Sequence, residues 1–229
     1  MPIRLNPTGP SLPASLIEAV RALELPTLGH FLEAGFVGPS IRRIVGSGTL
    51  VGRALTVRVV APDSALVHWA TERLEPGDVL VIDTGGDRDH APVGAVVAEA
   101  VAAAGGVGIV IDGPCTDVHA LAALPLAVHA RGTSALTTKL HALDAGGINV
   151  PVVIGRAAVL PGYLVIGDDN GLLIADPADV GAVLAAARRS DEAEPAKLDR
   201  LRAGEPLATV SVAGERVQAL LDRSGEGGN

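Results

Sequence analysis

The order of apolar and polar positions divides the chain into short elements. Leu16, Ala19, Val20 and Leu23 fall on one side of a helix over Ser15–Leu25. Gly46–Val60 reads as strand-forming, and within it Leu55, Val57 and Val59 alternate with Thr56 and Arg58. Ala65–Arg73 is helical in pattern, and Pro76-Gly77-Asp78 is a turn. Val79–Asp83 and Val107–Ile111 are continuous apolar runs, the pattern of strands buried on both faces. Between them lie a polar loop, Thr84–His90, and a helix with Pro92 in its first turn, ending near Ala104 at Gly105. Asp117–Ala123 is a short helix and Leu126–Ala130 a third strand. Strands alternating with helices in this way predict parallel pairing with right-handed crossovers, an α/β class.

The pattern changes after Thr133. Val150–Ile154 is a strand, and Tyr163–Gly167 and Leu172–Asp176 flank the hairpin signal Asp168-Asp169-Asn170-Gly171. Asp176-Pro177 caps a helix running to about Arg189, and Ser190–Glu205 is charged and helical in character. The expected division is an arm at 1–13, a main domain at 14–189, a helical extension at 190–224 and a disordered tail, Gly225–Asn229.

Composition narrows the function classes. With 229 residues, 48% hydrophobic and only 2% aromatic, the core must be built from Val, Leu, Ile and Ala. A net charge of −8, no basic run and few rings argue against nucleic-acid binding. Cys115 is the one cysteine, so no intrachain disulfide forms. The N-terminus lacks an apolar signal region, and the apolar stretch Ala95–Ile111 is interrupted by Glu99 and Gly105-Gly106. The expectation is a cytoplasmic chain without a membrane span.

The candidate chemistry gathers around Gly105–Asp117. The helix start at Pro92-Val93-Gly94-Ala95 offers free amides to an anion, or to water. Asp112 and Asp117 could share a cleft and hold Mg²⁺ or Mn²⁺, or could simply serve as turn and cap residues. Cys115 is either a nucleophile or a small buried turn residue. The six histidines show no zinc-type spacing, although His119 lies two residues after Asp117.

Several motifs taken in order resemble the RraA-like family. They are Gly52-Arg53-Ala54-Leu55-Thr56-Val57, Pro76-Gly77-Asp78 with its strand to Asp83, Gly85-Gly86, Gly94, and Val110-Ile111-Asp112-Gly113 to Asp117. Ala130-Arg131-Gly132-Thr133, Pro151-Val152, Pro161-Gly162 and Gly167–Gly171 continue the series. The family joins the regulator of ribonuclease activity A to the 4-hydroxy-4-methyl-2-oxoglutarate aldolases. The resemblance implies a swivelling β/β/α domain with a parallel βαβ core, additional hairpins and a C-terminal helix, assembled as a trimer or hexamer. It implies a metal-dependent lyase releasing pyruvate from a short 2-oxo acid, by retro-aldol cleavage or oxaloacetate decarboxylation. Asp117 would help hold Mg²⁺ or Mn²⁺, the amides of Gly94, Ala95, Val96 and Val97 would receive the substrate carboxylate, and Glu194 would reach a neighbouring subunit's metal.

This chain departs from the family pattern at four places. The aldolases' Gly-x-x-Arg-Asp is Gly113-Pro114-Cys115-Thr116-Asp117, so the enolate-stabilising arginine is Thr116. Ala95 replaces a glutamate, Tyr163 an aspartate and Arg156 a glycine. Arg88, His90 and His119 are candidate replacement cations, with Arg131 a weaker one because family members also carry it. The alternative is a non-catalytic regulator that binds a partner protein.

Overall fold

The computed structural model describes residues 2–226. Two compact units divide between Leu184 and Ala185. The first is built on one mixed sheet whose order is Arg4–Leu5, Gly147–Ile148, Leu50–Arg58, Asp78–Asp83, Gly108–Ile111, Ala127–Ala130, Arg42–Val45. The four strands from Leu50–Arg58 to Ala127–Ala130 are parallel, with Leu55, Leu80, Ile109 and Val128 in register across them. The crossovers predicted from the strand–helix alternation are present as Ala65–Ala70, Ala95–Ala103 and Val118–Leu121.

Strand alternation sorts the core into two layers. Leu55, Leu80, Ile82, Ile109 and Ile111 face one way, against Val67, Val97 and Val101 of the helices. Val79, Val81 and Val110 face the other way, against Val152, Ile154, Val165 and Ile174 of two hairpins. Each fully buried Leu or Ile contributes about 1.5–3 kcal/mol, so aliphatic side chains alone supply the core. Of the polar positions in the alternation Leu55–Val59, Arg58 is exposed, whereas Thr56 is fully buried, its hydroxyl donating to the Val150 carbonyl at 2.6 Å.

The Leu164–Gly167/Leu172–Ala175 hairpin forms as predicted and pairs antiparallel with Leu50–Arg53. A second hairpin, Val152–Ile154/Ala157–Val159, was not predicted beyond its first strand. The arm is not structureless, because Arg4–Leu5 pairs parallel with Gly147–Ile148. The crossover helix begins at Ala95 rather than at Pro92. Residues 91–93 are held in extended pairing first: Ala91 N–H donates to the Leu136 carbonyl, and the Val93 carbonyl accepts from Thr116.

Helix Pro177–Arg202 is continuous through Arg189, where an end was expected, with Pro195 inside it. The second unit adds Leu207–Val210 and Ala213–Glu226, on which Val217, Leu220 and Leu221 are exposed. Of the tail expected to be disordered, Gly225 and Glu226 complete this last helix, and residues 227–229 lie outside the described residues. Among the described residues no helix is long and apolar enough to cross a membrane.

Candidate functional site

Asp83, Asp112 and Arg131 stand at or just beyond the C-terminal ends of three adjacent parallel strands, the edge where open α/β sheets place ligands. The segment Asp112–Asp117 leaves this edge, and Pro114–Cys115 pairs parallel with Gly132–Thr133. Asp117 then adopts a left-handed backbone, φ 55°, before the helix Val118–Leu121. A non-glycine residue there is uncommon. Its carboxylate does not cap its own helix. Oδ2 accepts instead from the amide of Ala95, at 3.0 Å, at the start of the helix Ala95–Ala103.

Gly94 makes this contact possible. Its backbone is extended, which any residue adopts, but a β-carbon there would collide with Asp117 Oδ2 and lie 2.8 Å from Thr116 Cγ2. The glycine is therefore a clearance for the Asp117 carboxylate. The amides of Val96 and Val97 have no acceptor among the described residues, so the helix start retains two donors beside a carboxylate. Val96 is exposed, while the Val97 side chain is buried in the core and only its backbone is available.

Structure thus brings together Asp117, Thr116, Gly94, Ala95, Val96 and Val97. Thr116 is half-buried, its methyl against Gly94, and it carries no charge. His119 is exposed one residue into the short helix. Glu194 is exposed on Pro177–Arg202, in the second unit.

Arg88 is placed otherwise. Its Nη1 donates to Asp112 Oδ1 at 2.7 Å and to the Asp112 carbonyl at 3.0 Å. Arg131 Nε donates to the same Oδ1, and the Gly155 amide fills Oδ2 at 2.8 Å. Burial works to raise the Asp112 pKa, but hydrogen bonds from Arg131, Arg88 and Gly155 outweigh it and hold the carboxyl below its ordinary range. Asp112 is therefore a counter-ion with both oxygens engaged and does not pair with Asp117 as a metal ligand. The strand register accounts for the pairing of Asp112 with Arg131. Val110 and His129 are in register, so Asp112 and Arg131 emerge side by side two residues later. His90 bonds through Nδ1 to Asp87 at 2.8 Å. Cys115 is fully buried, and burial pushes its thiol up to about 11, which makes it a structural residue.

No group of three or more His, Cys, Asp or Glu side chains able to hold a metal occurs among the described residues. Asp117 has one oxygen engaged by Ala95 and is exposed to solvent. That donor set suits Mg²⁺ or Mn²⁺, which take one or two carboxylates and complete their shell with water and substrate oxygens. It does not suit tetrahedral zinc.

Arg156 and Tyr163 do not join the Asp117 turn. With Phe31 and Phe36 they line a different cavity of about 930 Å³.

The chain is similar to known proteins in sequence and in fold. A family model described as RraA-like, Aldolase/RraA, matches residues 16–174. A relative from Halalkalibacterium halodurans named "Putative 4-hydroxy-4-methyl-2-oxoglutarate aldolase" is 32% identical, over 69% of this chain and 74% of that one. The solved RNA-processing inhibitor RraA from Thermus thermophilis is 29% identical with a TM-score of 0.55, covering 59% of this chain and 81% of that one. RraAS2 of Streptomyces coelicolor, 21% identical, shares the fold with a TM-score of 0.70 over 84% of this chain and 98% of its own. The chain belongs to the RraA-like family.

Proposed function

We propose that this protein is a carbon–carbon lyase acting on a short 2-oxo acid, assisted by Mg²⁺ or Mn²⁺ and assembled as a homotrimer or hexamer. The observation that carries the reading is the pairing of Asp117 with the start of Ala95–Ala103. One carboxylate and two unpartnered amides stand together, so a cation and a substrate carboxylate have adjacent places. When bound, the cation supplies Lewis-acid polarisation of the 2-oxo group.

The chain's own groups do the rest. Asp117 would hold the cation, with Glu194 from a neighbouring copy as a second carboxylate. The amides of Val96 and Val97, at the positive end of the helix, bind and orient the substrate carboxylate. The Ala95 amide fixes the Asp117 carboxylate, so little reorganisation is needed on binding. Thr116 supplies no charge where the aldolases have arginine. His119 is the exposed titratable group next to this turn and is proposed as the proton carrier for the departing fragment. Arg88, engaged with Asp112, is a weaker candidate for the missing cation than the sequence alone implied.

The test is pyruvate release from oxaloacetate or a 4-hydroxy-2-oxo diacid with Mg²⁺ or Mn²⁺. Wild type should release pyruvate, Asp117→Ala should not, and Thr116→Arg should raise turnover on the order of 100-fold. If pyruvate appears only with Thr116→Arg, the native protein is not a lyase. The uncharged Thr116 favours one second reading, a regulator without catalysis, and that outcome would support it.

A further inference from the structure

Two guanidiniums meet one buried carboxylate at the sheet edge, and the charges do not cancel. Arg88 and Arg131 both donate to Asp112 Oδ1. One carboxylate neutralises one guanidinium, so a single positive charge is left over. Neither Asp87 nor Asp89, the acids flanking Arg88, lines the cavity that these arginines share. The Asp87 carboxylate is already taken by the amides of Asp89 and His90 and by the His90 ring.

Burial decides which groups face outward. The Asp112 side chain is 10% exposed, Arg131 19% and Arg88 48%, so the anion lies at the base and the cations above it. Arg131 Nη1 donates to Ser40 Oγ at 2.5 Å. Arg88 Nε and Nη2 and Arg131 Nη2 have no acceptor among the described residues. These groups line a cavity of about 310 Å³ together with Ser40, Pro114, Gly132 and Thr133. Nothing lies within 4 Å of the place a β-carbon would take on Gly132, so that wall stays open.

We infer that this cup is a binding site for the carboxylate of a small organic acid, separate from the helix start at Gly94. Planar guanidiniums with unspent N–H groups match a planar carboxylate. A residual charge of one favours a singly charged carboxylate over the more highly charged phosphate. The buried Asp112, held ionised by its own partners, fixes both guanidiniums before a ligand arrives. Arg88 is the adjustable member, being half exposed, whereas Arg131 is anchored on both Asp112 and Ser40.

The test is calorimetric titration of the full chain with succinate, acetate and inorganic phosphate at matched ionic strength. Arg88→Gln keeps the Asp112–Arg131 pair and should fold, which circular dichroism checks. Carboxylate binding should weaken at least 10-fold in Arg88→Gln, partly recover in Arg88→Lys, and persist in Asp117→Ala. The inference is overturned if no carboxylate binds, if Arg88→Gln binds as wild type does, if phosphate binds more tightly than acetate, or if only Asp117→Ala abolishes binding. None of these readouts requires turnover, so the lyase reading can fail while the cup stands, and the reverse.

Discussion

Acid should weaken the fold through one side chain, His129, before the carboxylates respond. His129 lies in the strand Ala127–Ala130, is fully buried and is in register with Arg43. Its Nδ1 has no partner among the described residues, and Nε2 stands 3.5 Å from the Asp168 carbonyl. Burial is the main cause that pushes its pKa down from 6.5 to about 4, with the Arg43 charge adding to the effect against Asp168 and Asp169. The folded pKa thus lies below the unfolded one, so the unfolded chain takes up the proton first as pH falls. The stability His129 carries is whole above pH 6.5, declines between 6.5 and 4, and is lost below. At about 1.4 kcal/mol per pH unit, a shift from pH 7 to pH 5 costs about 2 kcal/mol. Asp63, Asp87 and Asp112 have pKa values lowered from 3.8, so their contribution is lost only at lower pH. Urea unfolding at both pH values, on wild type and His129→Gln, measures the effect. Any loss of packing in the variant is common to both pH values and cancels in the difference. Wild type should lose about 2 kcal/mol more than the variant, and equal losses would refute the reasoning.

Three further outcomes are expected. Arg53→Ala should destabilise the fold by about 3–5 kcal/mol in urea unfolding, because Asp78, 1% exposed, would lose its bidentate partner at 2.7 and 3.0 Å. Gly94→Ala should lower any metal-stimulated turnover at least 10-fold with a smaller change in melting temperature, since its β-carbon takes the place of Asp117 Oδ2. Cys115 should resist thiol reagents in the native protein and react on unfolding, because the buried thiol titrates at about 11; rapid native labelling would contradict its placement.

What could be read from the sequence followed the range of the interaction. The two central strands, Asp78–Asp83 and Gly108–Ile111, were legible because both faces are buried and the chain there runs almost continuously apolar. The hairpin at Asp168–Gly171 was legible because its turn is local. The second hairpin also carried a local signal, Gly155-Arg156 between two apolar triplets with Gly155 at φ 57°, and this went unread. The arm's strand was not legible, since two residues acquire meaning only from Gly147–Ile148, far along the chain. The same limit applied at the site. Spacing suggested Asp117 as the cap of its own helix, yet the bond it makes is to Ala95, 22 residues earlier. The motif arginine Arg53 proved to be structural, tying Asp78 and Glu75 to the Gly9 carbonyl of the arm.

The four positions read as departures in the family resemblance are not scattered. Thr116 and Ala95 adjoin the Asp117 carboxylate, while Tyr163 and Arg156 line another cavity together with Phe31 and Phe36. Three of the chain's four aromatic residues, Tyr163 among them, therefore line that cavity. At the Asp117 turn Thr116 brings no charge. The clearance at Gly94, the left-handed Asp117 and the Ala95 bond occur together, and the Thr116 methyl packs beside them. What makes glycine necessary there is the carboxylate of Asp117 held over it. Under the proposed lyase reading the difference at this turn lies in how charge is stabilised, and Thr116→Arg tests it.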